Sequence, residues 1–285
     1  MAKSFTVQDF FKRFPTDDAC LEHLFAVRYG PEPVCPKCGQ IGAFGRLAKL
    51  PAWTCNCGHH LHPMKGTPFE RTHTPLQKWF YAMYLFTTSR HGVPAKELQR
   101  QLGVTYKTAW RIGHEIRKYM GKVDGDRGLG GHVEIDETFI GGKRPRKARG
   151  GSYQNKSIVL GMLERDGDII TRSIKNTKMD SLTRHIHSHV RRGTRVSTDE
   201  HIGYHALGRM GYDHRTVNHS IKEWVRGDTH TNSIENFWSR LKNSIRGTHV
   251  HISAKHLPKY LGEFEFRFNR RRAPLSMFSD LLAGF

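Results

Sequence analysis

The chain is 285 residues long, 37% hydrophobic and 11% aromatic, with a formal net charge of +20. This composition excludes a disordered chain, and the length gives room for two domains, each with its own core. The charge is spread: 19 Lys and Arg stand against 10 Asp and Glu before Gly131, and 27 against 16 from there on. A polyanion contacted along most of the molecule is the expected partner, with a generally basic soluble surface as the alternative.

No run of 18 apolar residues occurs, and the opening MAKSFTVQDFF lacks the apolar centre of a secretory leader. A cytoplasmic protein without a membrane segment is expected. Five cysteines, an odd number, speak against a disulfide framework in that compartment.

Residues 1–30 read as one or two short helices. Thr16 is an N-cap, and Cys20, Leu21, Leu24 and Phe25 form an apolar face, which makes Cys20 a core residue rather than a ligand. CPKCG at 35–39 and WTCNCGHH at 53–60 read as the two knuckles of a zinc ribbon spanning 31–70. Cys35, Cys38, Cys55 and Cys57 are the expected ligands of one structural Zn²⁺. Only Asn56 separates the second pair, so His59, His60 or His62 is an alternative fourth ligand, and a metal-free ribbon the other reading.

Residues 71–122 turn helical. Trp79, Phe80, Met83, Tyr84 and Phe86 make a thick apolar face. Residues 93–120 have the layout of a helix-turn-helix: Pro94 near a helix start, Leu102-Gly103-Val104 as the turn, Thr105 capping the longer second helix. Ala109, Ile112, Gly113, Ile116 and Met120 face inward. Tyr106, Lys107, Thr108 and Arg111 are left at the exposed N-terminal end, where a recognition helix meets bases and phosphates; a plain helical hairpin is the alternative. Residues 121–130 read as a linker by composition.

The second domain, 131–285, opens with HVEIDETFIGG at 132–142. Val133 and Ile135 alternate with Glu134 and Asp136 as in a strand, and Phe139 and Ile140 continue it after an Asp-Glu-Thr break. An Asp inside a strand is disfavoured: it is either a solvated edge residue or a metal ligand at a sheet centre, which needs partner carboxylates downstream. Five cations follow, Lys143, Arg144, Arg146, Lys147 and Arg149. Segments 157–163 and 169–174 read as a hairpin turning at Asp166-Gly167, 180–190 as a helix, 195–198 as a strand ending in Asp199, 204–210 as a helix and 214–217 as a strand. This order describes an α/β domain, a mixed sheet with helices on its faces. In 229–247, Ile234, Phe237, Trp238, Leu241 and Ile245 share one helix face, with Glu235 and Lys242 on its rim. Taken alone, such a Glu and Lys are usually solvated; with Asp136 and Asp199 they form a set.

Thirty-five residues separate Asp199 from Glu235. On segments 133–142, 198–204 and 230–242, with KYLGEFEFRFNRRR at 259–272, the chain resembles bacterial insertion-sequence transposases of the DDE type that carry an N-terminal zinc ribbon and a D-D-N/E-K signature. The resemblance covers most of the chain; the shortened Cys55/Cys57 knuckle departs from it. It implies a ribonuclease-H-like catalytic fold behind the ribbon and helix-turn-helix, and an enzyme that cuts and joins DNA. Asp136, Asp199 and Glu235 would hold two Mg²⁺, replaceable by Mn²⁺, with Asn232 as the alternative third member and Lys242 on a phosphate near the scissile bond. The five cations at 143–149, following the strand of Asp136 within a few residues, are expected on their charge to hold DNA beside the site, with a solvated loop as the alternative. Partners implied are the element's terminal inverted repeats, target DNA and further copies of the chain, as a homodimer or higher oligomer on DNA in the nucleoid. The competing readings are a structure-selective nuclease of the same fold and a domesticated, non-catalytic DNA-binding regulator.

Overall fold

The computed structural model describes residues 5–141 and 156–284. The basic segment 143–149 lies outside the described residues. The chain divides into two compact units, Met1–Tyr119 with Ala273–Phe285, and Met120–Arg272.

In the first unit, α1 (Val7–Arg13) starts at a capping box in which Thr6 and Asp9 satisfy each other's backbone N–H. The Thr16 hydroxyl accepts from Ala19 N to start α2 (Asp17–Tyr29). Cys20 is buried within this unit and its thiol is pushed up to about 12 by burial and then by Asp17, as suits a core side chain. Three short antiparallel strands follow, β1 (Phe44–Arg46), β2 (Trp53–Cys55) and β3 (His60–Leu61). Trp53 stacks on Phe25 of α2 with centroids 4.1 Å apart, which seats this small sheet on a helix it is too small to do without.

Helix α3 (Leu76–Thr88) buries the aromatic face read from the sequence. α4 (Ala95–Leu102) ends at Gly103 in the left-handed conformation, and Thr105 accepts from Thr108 N at the start of α5 (Tyr106–Asp124). Ala109, Ile112, Ile116 and Met120 are fully buried as expected. Gly113 lets α4 approach: a Cβ there would stand 3.1 Å from Leu98 Cδ1. The expected linker begins later than composition suggests, because α5 continues to Asp124, whose carboxylate is bonded by Asn269 and Arg270.

The second unit holds a five-stranded mixed sheet. Strands β4 (His132–Ile140), β5 (Ser157–Glu164) and β6 (Ile169–Ile174) form an antiparallel meander. After α6 (Met179–His189), β7 (Arg195–Thr198) and β8 (Asp213–Thr216) add in parallel, giving the order β6-β5-β4-β7-β8. This is the expected ribonuclease-H-like mixed sheet, with β4 at its centre. The expected break at Asp-Glu-Thr is absent: β4 pairs with β5 without interruption from Val133 to Ile140. The expected helix at 204–210 is instead two 3₁₀ turns, Ile202–Tyr204 and Gly208–Met210, in a segment punctuated by Gly203, Gly208 and Gly211.

One face of the sheet packs Val133, Ile135, Leu160 and Met162 against Leu182 and Ile186 of α6 and against Tyr204. The other packs Val159 and Leu163 against α7 (Asn232–Ser244) and α8 (Leu257–Asn269). α8 has its own period, Leu257, Leu261 and Phe264. The last helix, α9 (Met277–Ala283), belongs to the first unit, where Phe278 meets Phe5, Phe10, Phe14 and Tyr84. Among the described residues no helix is long and apolar enough to cross a membrane.

Candidate active site and zinc site

The cysteines converge. The Sγ atoms of Cys35, Cys38, Cys55 and Cys57 all lie within 4.8 Å of one another, and the pairs Cys35–Cys57 and Cys38–Cys55 stand 3.6 Å apart. Each knuckle is built by its backbone. Gly39 and Gly58 take positive φ of 73° and 79° and donate to the carbonyls of Cys35 and Cys55 at 2.9 Å. The single-residue gap at Asn56 still brings both thiols of the second knuckle into the cluster, so four cysteines are gathered where a structural Zn²⁺ would take four ligands, without His59, His60 or His62.

The second site is built on β4, where consecutive residues point to opposite faces. Asp136 lies on the α7 side and Glu137 on the other. Asp136 is paired across the ladder with Gly161, and the bare glycine makes room for the Trp238 ring: a Cβ at 161 would stand 2.5 Å from Trp238 Cζ2. The indole Nε1 donates to Asp136 Oδ2 at 3.0 Å. Burial, then the carboxylates of Glu137, Asp199 and Glu235, push the Asp136 carboxyl up to about 7. Side chains from β4, the end of β7 and α7 thus share one electrostatic environment. Among the described residues the four cysteines remain the only group of three or more His, Cys, Asp or Glu whose ligand atoms all fall within 4.8 Å. The carboxylates are neighbours rather than a closed cage.

Asp199 follows β7 directly, and its Oδ1 accepts from His201 N at 3.0 Å. Glu235, half exposed, accepts from the Thr231 hydroxyl at 2.8 Å, and His219 Nε2 lies 3.8 Å from its Oε1. Asn232 is the first residue of α7 and is exposed. Lys242, half-buried, is lowered by burial against the raising effect of Asp136.

Several residues here escape a sequence reading. Glu134 is fully buried, and its Oε2 accepts from the backbone N–H of Ser233 at 2.8 Å and of Ile234 at 3.1 Å. The cap of α7 therefore comes from the strand that carries Asp136, not from Asn232 or Thr231. Its Oε1 accepts from Arg165 Nε at 2.8 Å, and His230 Nδ1 lies 3.1 Å away. Arg165 also donates to the carbonyls of Asp228 and His230. On the opposite face, the Tyr204 hydroxyl donates to Glu137, whose carboxyl is raised by burial and by Asp199. Glu200 accepts from the Ser220 hydroxyl and from His219 N and Ser220 N, contacts that, the hydroxyl first, hold its carboxylate down at about 2 and anchor the loop bearing His219.

At the start of α5, Tyr106, Lys107 and Arg111 are exposed and Thr108 is half-buried. Lys96 Nζ lies 5.0 Å from the Tyr106 ring centre, and the Arg111 guanidinium 5.7 Å from that of Trp79.

The ISXO2-like transposase domain model matches residues 128–269, and the transposase zinc-ribbon domain model matches residues 15–60. Over 286 aligned residues, covering 92% of this chain and 94% of the relative, the sequence is 25% identical to an uncharacterized protein in transposable element ISH50 of Halobacterium salinarum. No solved structure matches.

Proposed function

Because the chain belongs to the ISXO2-like transposase family, we propose that it binds the terminal inverted repeats of its insertion sequence and cuts and rejoins DNA there with Asp136, Asp199 and Glu235. One observation carries the reading: Asp136, half-buried on the central strand β4 and bonded by Trp238, has its carboxyl raised by burial, by its neighbour Glu137, and by Asp199 and Glu235 from two other elements. Hard divalent cations take carboxylate oxygens, and this crowding of negative charge is what a bound Mg²⁺ relieves. When bound, Mg²⁺ activates an attacking oxygen and neutralises the leaving one.

The chain's own residues do the rest. Trp238 fixes one oxygen of Asp136 and leaves the other for a cation. Lys242 holds a phosphate next to Asp136. Glu134 holds the first turn of α7, and with it Glu235, against β4. Glu235 is the better third member than Asn232, since an anionic oxygen binds Mg²⁺ more tightly than an amide. The ribbon, α4 and α5 read the repeats, with Tyr106, Lys107, Thr108 and Arg111 at the DNA. The cations at 143–149 contribute to holding DNA by charge. The active form is a homodimer or higher oligomer on DNA.

The test is a supercoiled plasmid carrying both ends of the element, incubated with the full chain and Mg²⁺. Cleavage and strand transfer are expected from the native chain. Asp136→Asn, Asp199→Asn and Glu235→Gln should abolish both while binding the ends normally. Native-like cutting by all three variants overturns the reading. Cutting by Glu235→Gln alongside a dead Asn232→Ala reassigns the third member.

A further inference from the structure

A groove of about 850 Å³ opens where β4 ends. Its floor and walls include Phe139, Ile245, Val250 and Ile252, and its cations are Lys156, Lys242 and Arg246. Lys156, Lys242 and Arg246 all line this one groove, so three cations face the same space. Lys242 lies on α7, the helix that also carries Glu235 and the Trp238 indole bonded to Asp136, so the groove borders the elements of the carboxylate site. Val250 is 80% exposed and held at φ 63°, a conformation that β-branched residues seldom take, just after the π-helical turn Ile245–His249 closes α7. An exposed apolar side chain held this way beside clustered cations suits a ligand with an apolar face and negative charges.

Resting on the proposed reading, we infer that this groove is a subsite for unpaired nucleotides of the DNA strand flanking the scissile phosphate. Bases lie against Val250 and Ile252, and the backbone phosphates lie on Lys156, Lys242 and Arg246. Duplex DNA presents no free base faces, so an apolar floor has a use only when the strand leaves the helix. The volume admits one or two nucleotides. The charge gives attraction and the floor gives the preference for a base over bare backbone.

The test measures binding by fluorescence anisotropy with the full chain in Ca²⁺. The probes are labelled dT6, the same hexamer with abasic residues, and a 20-base-pair duplex. Lys156→Ala with Arg246→Ala should weaken dT6 binding about tenfold at moderate salt and make its salt dependence shallower by about 1.4 in log–log slope. Val250→Ser should weaken dT6 but not the abasic hexamer. Thermal melts establish that each variant is folded. Unchanged dT6 affinity in the double variant, or equal losses on dT6 and the abasic hexamer in Val250→Ser, overturns the subsite. Equal losses on dT6 and duplex in the double variant make it a general phosphate surface, which also overturns it. Plasmid cutting tests the parent reading separately: a native chain that cuts while the double variant binds dT6 normally loses only the subsite, and one that binds dT6 through the groove but never cuts loses only the reading.

Discussion

The indole N–H of Trp238 meets Asp136 Oδ2 at 3.0 Å, and it does so because the residue facing Asp136 across the ladder, Gly161, has no side chain. Trp238→Phe keeps most of the packing and removes the donor, leaving a half-buried carboxyl with one partner fewer. A stability loss of about 1–3 kcal/mol is expected. Gly161→Ala should reach the same end from the other side, since its methyl would overlap Trp238 and Ile234 and force them to shift, at about 1–3 kcal/mol. Both variants should lose DNA cleavage by more than they lose DNA binding. Cleavage at the native rate in Gly161→Ala would show that the indole contact is dispensable.

The raised carboxyl of Asp136 makes stability depend on pH with a definite sign. Its folded value of about 7 lies above the ordinary carboxylate range near 4. The unfolded chain therefore releases this proton first as pH rises. The stabilisation is fully present below about pH 4 and is lost as pH climbs through 7. The whole effect is about 4 kcal/mol. Glu265, pushed up to about 7 chiefly by burial, acts in the same direction, so Asp136→Asn should flatten only part of the slope. At pH 8 without divalent metal, Asp136→Asn should melt higher than the native chain, and millimolar Mg²⁺ should narrow the gap. Parallel melting curves from pH 4 to 8 would remove the proposed crowding of charge.

What was legible in the sequence was local chemistry. The cysteine knuckles, the Thr16 and Thr105 caps, the Asp166-Gly167 turn, the aspartate within one strand and the aspartate just after another all declare themselves within a few residues. Contacts between distant segments did not. Glu134 caps a helix 99 residues away, and in sequence it is only a polar residue alternating with Val133 and Ile135. Trp238 falls on an apolar helix face and reads as core, which it also is. The Asp-Glu-Thr run looks like a strand break because three polar residues in a row seldom sit inside a sheet. Both carboxyls are accommodated because Asp136 finds Trp238 on one face and Glu137 finds Tyr204 on the other. The helix expected at 204–210 failed for a local reason that was visible, the three glycines around it.

The zinc site separates two ways of completing four ligands. With all four Sγ atoms within 4.8 Å, one Zn²⁺ per chain is expected by metal analysis, and Cys57→Ser should lose it. His59→Ala, His60→Ala and His62→Ala should each retain it. Chelation should unfold the segment around β1–β3 first, since three short strands bury little without the metal. It should also abolish recognition of the element's ends. Full zinc content in Cys57→Ser, with loss in a histidine variant, would transfer the fourth position to that histidine.

The last prediction concerns Glu134, which ties the strand of Asp136 to the helix of Glu235. Its two oxygens have separate tasks, one capping Ser233 N and Ile234 N, the other meeting Arg165 and His230. Glu134→Ala removes the cap and leaves the largely buried Arg165 without its anion, at a cost of about 3 kcal/mol. Glu134→Gln keeps one acceptor and the shape. With its oxygen toward α7 it keeps only a neutral, weaker cap and places an amide against Arg165; turned over, it loses the cap and keeps an acceptor for Arg165. Either way the first turn of α7 is held less firmly, so Glu235 and Lys242 lose position relative to Asp136. The expected signature is a Glu134→Gln chain that stays folded and binds DNA ends but cuts at least tenfold more slowly, with Mg²⁺ required at higher concentration. Raised Mg²⁺ should recover part of the rate, because the cation can supply some of the ordering that the cap no longer does. A uniform loss of folding, binding and cutting in step would make Glu134 a plain structural residue instead.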